Sequence, residues 1–365
     1  MKILYFLNAL NIGGAETFIY NTLKVINTKK YHIDFVLQSR ENQNKKLISL
    51  CEEKESNFYY IVPFYKNYLK SVVELKRILI NGKYDIIHVH ANALINMVPI
   101  IAATNVETQL VLHSHNTRNN FGGIIGRCLH KFNRRFLKKS EIFRIACGEE
   151  AGKWMYGKQQ FMVLNNAIDL DEYKYNISSR NEIRRKLNLN NNFVIGNISR
   201  FVAAKNHAFI LEVFREILNL YPDSKLVLLG EGELMEDIKK KSSSLKIQEN
   251  IIFVGNVQDT RKYYSAFDCL LFPSFFEGLP FTLIEAQASG LPVVTSDAVT
   301  REVAVTDLLK FVSLKDNIKS WVSEVNNALV SDRDRSIYRD IMKNCKYDIK
   351  KVISDLEKLY DCCIS

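Results

Sequence analysis

Short runs of β-branched and other apolar residues recur along the chain, separated by stretches in which apolar positions return every three or four residues. In the first half the runs are Ile3–Leu7, Ile33–Leu37, Tyr59–Val62, Asp85–His90, Leu110–Ser114, Ile142–Cys147 and Met162–Asn165. Between them Thr17–Ile26, Leu69–Asn81 and Ile124–Lys138 have helical periodicity. The second half repeats the rhythm with Phe193–Ile198, Lys225–Gly230, Ile251–Gly255, Cys269–Pro273, Pro292–Thr295 and Leu309–Val312. These runs are nearly continuous rather than alternating, as parallel strands covered on both faces require. Two successive strand–helix series predict an α/β chain of two doubly wound, Rossmann-like domains. The polar stretch Asp169–Asn192 marks the boundary, giving domains over 1–168 and 169–345. A helical tail within 346–365 has no strand after it and is expected to pack back on the N-terminal domain. Ligands in such sheets sit beyond the carboxyl ends of the strands, so the site is expected where the domains face each other.

A chain of 365 residues is too long for one ordinary core, which agrees with two domains. The longest apolar run, near Leu94–Ala103, reaches about half of the roughly 18 residues a membrane-spanning helix needs. The start reads as a first strand rather than a secretory leader: its apolar stretch ends at Asn8, and no small-residue cleavage site follows. Seven cysteines without paired spacing argue against a disulfide framework or a zinc site and for the cytoplasm. The net charge of +10 is unevenly placed. Residues 1–170 carry 23 Lys/Arg against 13 Asp/Glu, while the remainder carries 27 of each. A basic first half points to an anionic partner: phosphate, pyrophosphate or an anionic lipid surface. The excess is densest between Arg118 and Arg144, where Ile125, Leu129, Phe132 and Phe136 recur at helical spacing among Arg127, Lys131, Arg134, Arg135, Lys138 and Lys139. Such a stripe either packs on its own sheet or rests on an anionic inner membrane face.

The densest chemical signal is the string from Phe272 to Val293. A strand ends at Phe272, a loop carries Glu277 and Gly278, and Pro280 is expected at the first position of a helix. Free amides at that helix start, approached closely over Gly278, suit a phosphate. Glu285 lies about one turn further on. A second cluster, Gly196 to His207, places Arg200 and Lys205 across a strand-to-helix loop, where a planar fork and a point charge can close on one diphosphate.

These strings resemble the E-x7-E and Arg…Lys-Asn motifs of the retaining glycosyltransferases of family 4, which have the GT-B fold. The resemblance spans essentially the whole chain. It implies that Glu277 contacts the donor sugar, that Glu285 binds the ribose hydroxyls, and that the backbone of Gly278, Leu279, Pro280, Phe281, Thr282 and Leu283 holds the diphosphate and sugar. Arg200 and Lys205 would neutralise the leaving nucleotide diphosphate, the role metals play in other transferases, so no metal and no cofactor are expected. Gly230 and Gly232 match the family's Gly-x-Gly turn near base and ribose; Gly13, Gly14 and Glu16 match its glycine-rich loop, facing phosphates or acceptor. His115 aligns with its strand-end histidine, which touches the donor sugar, and His113 is the competing choice. Asn166-Ala-Ile-Asp169 is similar to the family's boundary motif, with Ala167 in place of Gly. Ser296-Asp-Ala-Val-Thr-Arg-Glu302, where the family commonly has glycines, looks like the branch found in bacterial exopolysaccharide and capsule clusters. The implied activity moves a hexose or N-acetylhexosamine from a nucleotide diphosphate, expected to be a UDP-sugar, to a lipid-pyrophosphate-linked glycan. The protein would be peripheral at the inner face of the cell membrane, and no nucleic-acid partner is expected. A metal-free sugar-nucleotide epimerase of the same fold and a non-catalytic partner subunit are the alternatives.

Overall fold

The computed structural model describes residues 1–10, 14–40, 44–116, 123–139, 142–189, 191–257, 259–277 and 279–364. They form two units, Met1–Ala167 with Lys346–Ser365, and Ile168–Cys345. Each is built on one all-parallel sheet.

The first unit contains β1 (Lys2–Leu7), β2 (His32–Leu37), β3 (Phe58–Tyr60), β4 (Ile86–Ala91), β5 (Gln109–Ser114), β6 (Ile142–Ala146) and β7 (Met162–Val163). Their order across the sheet is β3-β2-β1-β4-β5-β6-β7, with the reversal of direction between β1 and β4. Because strands buried on both faces need two apolar layers, the unit has two cores. One gathers Phe18, Ile19 and Leu23 of the helix Gly14–Val25 with Val352, Ile353, Leu356 and Tyr360 of the final helix Ile349–Ile364. The other gathers Leu75 and Leu79 of Tyr68–Gly82 with Val98, Met155 and Tyr156. The tail is pinned by polar contacts as well. Tyr31 donates its hydroxyl to Asp361 at 2.9 Å, and Lys30 bonds the same carboxylate at 2.7 Å.

The second unit contains β8 (Val194–Ile198), β9 (Lys225–Leu229), β10 (Ile251–Gly255), β11 (Cys269–Phe272), β12 (Val293–Ser296) and β13 (Leu309–Val312), in the order β10-β9-β8-β11-β12-β13. The reversal falls between β8 and β11. Ile210 and Phe214 of His207–Leu220 and the buried Trp321 cover one face. Tyr264, Leu283 and Ala286 cover the other. The polar stretch at the start of this unit is structured rather than a bare linker. It carries the helices Leu170–Tyr173 and Ile177–Lys186, and Arg180 and Arg184 of the latter both pair with Asp268 at 2.6 Å.

Candidate functional site

Loops at the carboxyl ends of β8, β9 and β11 come together in the second unit. Beyond β8, Ser199 donates its hydroxyl to Asn197 Oδ1 at 2.6 Å, and Asn197 in turn donates to the Leu271 carbonyl at 2.8 Å. The loop after β8 is tied to the loop after β11 three times. Phe275 donates its amide to Ala204 at 2.8 Å, Asn206 donates to the Pro273 carbonyl at 3.3 Å, and Lys205 pairs with Glu277. Lys205 Nζ also lies 5.3 Å over the Phe272 ring. Arg200 is exposed and has no ion-pair partner among the described residues. It borders a cavity of about 320 Å³ lined by Ser199, Leu229, Gly230, Glu231 and Asn256 among others. Two expected site glycines have a steric reason to be there. A Cβ on Gly230, at φ +125°, would stand 2.1 Å from the Ser199 carbonyl oxygen, and one on Gly232 would stand 2.4 Å from that of Phe201.

The helix after β11 runs Phe281–Ala288, so Pro280 is its N-cap, one position earlier than expected, and Leu283 donates its amide to the Pro280 carbonyl at 3.1 Å. Leu279, just before the cap, and Phe281 and Thr282, in the first turn, are half-buried. Gly278 lies outside the described residues, as does Gly13. Glu285 is not a solvated surface carboxylate. The Tyr264 hydroxyl donates to its Oε2, and Tyr173 bonds it too. Burial raises its pKa while those two phenols oppose the rise. Burial also holds the Tyr264 and Tyr173 phenols far above their usual range, so both remain donors. Neither tyrosine was read from the sequence as part of the site. They arrive from two other helices, and Tyr264 is held by Arg335, which donates to its carbonyl at 2.7 Å.

In the first unit the switch point between β1 and β4 is filled with histidines. His88 and His90 share one face of β4, and His113 on β5 is the register partner of His90. His115 follows β5. The four rings form a file with neighbouring centroids 4.0–5.5 Å apart, against the Phe18 ring. A hydrogen-bonded chain runs from Tyr5 to Tyr360 (2.8 Å), to His88 Nδ1 (2.6 Å), and from His88 Nε2 to His113 Nδ1 (3.3 Å). A second pair joins His90 Nδ1 to His115 Nε2 at 2.8 Å. Burial pushes all four pKa values down, that of His115 to about 3, so the rings are neutral. His90 Nε2, His113 Nε2 and His115 Nδ1 are buried without a hydrogen-bond partner among the described residues. Of the two competing histidines, His113 is wholly buried, and His115 at the strand end is part-exposed. Asn166 Oδ1 is likewise unpartnered, and Asn166 Nδ2 lies 3.6 Å from where a Cβ on Gly14 would be. Glu16 sits in the first turn of the helix that Gly14 opens. The signal missed in the sequence was the His88-Val-His90 pair on β4, beside the His113-Ser-His115 pair at the end of β5.

His88, His90 and His113 also form the one group, among the described residues, whose ligating atoms gather within 4.8 Å of one another. The sequence reading did not foresee this group, which lies in the unit that does not carry Arg200 and Lys205. Two Asp-x-Asp tripeptides occur elsewhere and serve as local caps or ion pairs. Asp169 accepts from the Asp171 amide at 2.9 Å, Asp171 pairs with Arg339, and Asp334 accepts from the Ser336 amide at 2.9 Å.

Residues 12–172 match the family model described as Glycosyltransferase Family 4, and residues 179–346 match Glycosyl transferases group 1. The chain is 27% identical over 380 residues to the putative glycosyltransferase EpsF of Bacillus subtilis, covering 99% of this chain and 96% of that one. It is 27% identical over 315 residues to the UDP-Gal:alpha-D-GlcNAc-diphosphoundecaprenol alpha-1,3-galactosyltransferase of Escherichia coli, covering 80% and 79%. The crystal structure of HepE from Anabaena in complex with UDP superposes with a TM-score of 0.79 at 17% identity, covering 99% and 100%, which shows a shared fold. The two models between them span most of the chain, which belongs to the glycosyltransferases they describe and has the GT-B fold.

Proposed function

We propose that the protein transfers a hexose or N-acetylhexosamine from a UDP-sugar to a glycan carried on a lipid pyrophosphate, with retention at the anomeric carbon and without a metal. The observation that carries this reading is the joined loop pair of the second unit, where Arg200 borders a cavity at the ends of β8 and β9 and Lys205 pairs with Glu277 across the loops after β8 and β11. The UDP bound by HepE and the UDP-galactose and diphosphoundecaprenol in the name of the Escherichia coli relative support the donor and acceptor classes. Arg200 and Lys205 hold the donor diphosphate, Glu285 accepts from the ribose hydroxyls, and Glu277 faces the sugar. The acceptor hydroxyl forms the new bond to the anomeric carbon on the face from which the diphosphate leaves. The bond from that carbon to the diphosphate oxygen breaks, and the departing phosphate takes the acceptor's proton. His115 and Asn166 offer neutral polar groups to a sugar, and Gly14 and Glu16 a helix start. The protein works at the cytoplasmic face of the membrane that holds such acceptors.

Incubation with labelled UDP-sugars and a lipid-pyrophosphate glycan tests the reading. UDP should appear only when acceptor is present, and the product should keep the donor's anomeric configuration. A donor sugar isomerised without acceptor would mean an epimerase, and no reaction with any donor would mean a non-catalytic subunit.

A further inference from the structure

The helix Gly123–Asn133 reverses the ordinary amphipathic arrangement. Its buried positions are Gly126, His130 and Asn133. His130 Nδ1 accepts the Leu94 amide at 3.0 Å, its Nε2 bonds the Trp154 carbonyl at 3.1 Å, and its ring stacks on the Trp154 indole at 4.2 Å. Asn133 donates to the Leu94 carbonyl at 2.6 Å. The helix is thus fastened by its polar side. Its apolar residues face out: Ile124 is 73% exposed, Ile125 80% and Phe132 53%, with Leu129 and, just beyond the helix, Phe136 also exposed. Packing on its own sheet, the ordinary use of such a stripe, is therefore excluded. Arg127, Lys131 and Arg135 are exposed among these side chains, and 123–136 contains no acid.

We propose that this helix seats the protein on an anionic lipid surface, its isoleucines and phenylalanines entering the boundary between headgroups and acyl chains and its cations resting on lipid phosphates. The inference builds on the lipid-linked acceptor proposed above. Charge complementarity selects lipid over a protein partner. The cations are interleaved with apolar tips along one short helix, so both can be satisfied at once only by an anionic layer lying over an apolar one. Among the described residues no helix is long and apolar enough to cross a membrane. The outward apolar side chains add to this binding a part that salt does not screen. Screening removes the electrostatic part and leaves the apolar part.

Flotation of the whole protein with vesicles of phosphatidylcholine, alone or mixed with phosphatidylglycerol, tests this. The protein should float with the anionic vesicles and keep a fraction bound at high salt. Ile125→Ser with Phe132→Ser should lose that fraction and weaken binding by about tenfold or more, with an unchanged melting temperature because both side chains are exposed. Arg127→Glu, Lys131→Glu and Arg135→Glu together should lose the salt-sensitive part. Equal flotation on neutral and anionic vesicles, no flotation, or a serine double variant that floats like the parent would overturn the proposal. So would sedimentation showing that the face holds two copies together and leaves vesicles unbound. Transfer to a water-soluble acceptor analogue separates the two readings. Transfer without flotation removes the surface and keeps the activity, whereas flotation without transfer does the reverse.

Discussion

At the scale of single residues, the four charged groups of the second unit differ in what holds them, and their roles follow from that. Arg200 is exposed beside the cavity, and Lys205 is part-buried against Glu277. A cation aimed at a developing charge contributes more to the transition state than to the fold. Arg200→Ala and Lys205→Ala should therefore each slow turnover about a hundredfold, on the order of 3 kcal/mol, with Arg200→Ala melting normally and Lys205→Ala lower because Glu277 loses its partner. Steady-state kinetics with near-parental turnover in both variants would mean that the donor diphosphate sits elsewhere. Glu285 is oriented by Tyr264 and Tyr173, so its carboxylate has a fixed direction before any ligand arrives. Glu285→Gln keeps the shape but loses the charged acceptor, and UDP affinity measured by calorimetry should fall. Glu277→Gln should lower turnover more than UDP affinity, since in the proposed reading that carboxylate faces the sugar. The reverse pattern would exchange the two roles.

At the scale of elements, the cluster on β4 and β5 links fold to acidity. In an unfolded chain these histidines take up protons near pH 6.5, whereas in the native chain burial keeps them neutral, His115 down to about 3. The unfolded state therefore binds more protons below pH 6.5, and stability is present above that value and lost as pH falls through this window. Each ring contributes a slope of about 1.4 kcal/mol per pH unit until its native pKa is reached. Melting temperature should drop steeply between pH 6.5 and 5, and His90→Gln should flatten the slope. A flat profile would mean that the file opens to water. All thirteen strands among the described residues were legible in the sequence because strands covered on both faces leave nearly unbroken apolar runs. β7 was read too long, through Asn165, and closes at Val163. The Tyr5–Tyr360–His88–His113 chain was not legible. It joins β1, β4, β5 and the final helix, and local patterning carries no record of the Tyr5–Tyr360 and His88–Tyr360 contacts, 355 and 272 residues apart in sequence. The same holds for Tyr264 and Tyr173 on Glu285. The stripe on Gly123–Asn133 was legible as a stripe but not in its direction, because periodicity shows which side chains share a face and not which face is buried.

At the scale of the whole molecule, the chain builds most of its first unit, then all of the second, and returns with its last helix to complete the first. Its net charge is divided in the same way, with the excess before residue 170 and a balanced remainder. The two groups of residues able to handle charge are thus kept in different units. Arg200 and Lys205 stand on the loop after β8, and the histidine group that could gather a metal is packed inside the first sheet, with His88 and His113 wholly buried. If a pair of fixed cations stabilises the leaving diphosphate, a divalent ion there would be redundant, since both supply positive charge to the same oxygens. Turnover should therefore survive EDTA unchanged, with the parent protein assayed before and after exhaustive chelation. Variants decide what any sensitivity means. Loss on chelation that His90→Gln shares without chelator would place a functional ion in the first unit. Loss that is restored by Mg²⁺ or Mn²⁺ and left untouched by His90→Gln would put a metal on the donor, and the cation pair would no longer account for departure of the diphosphate.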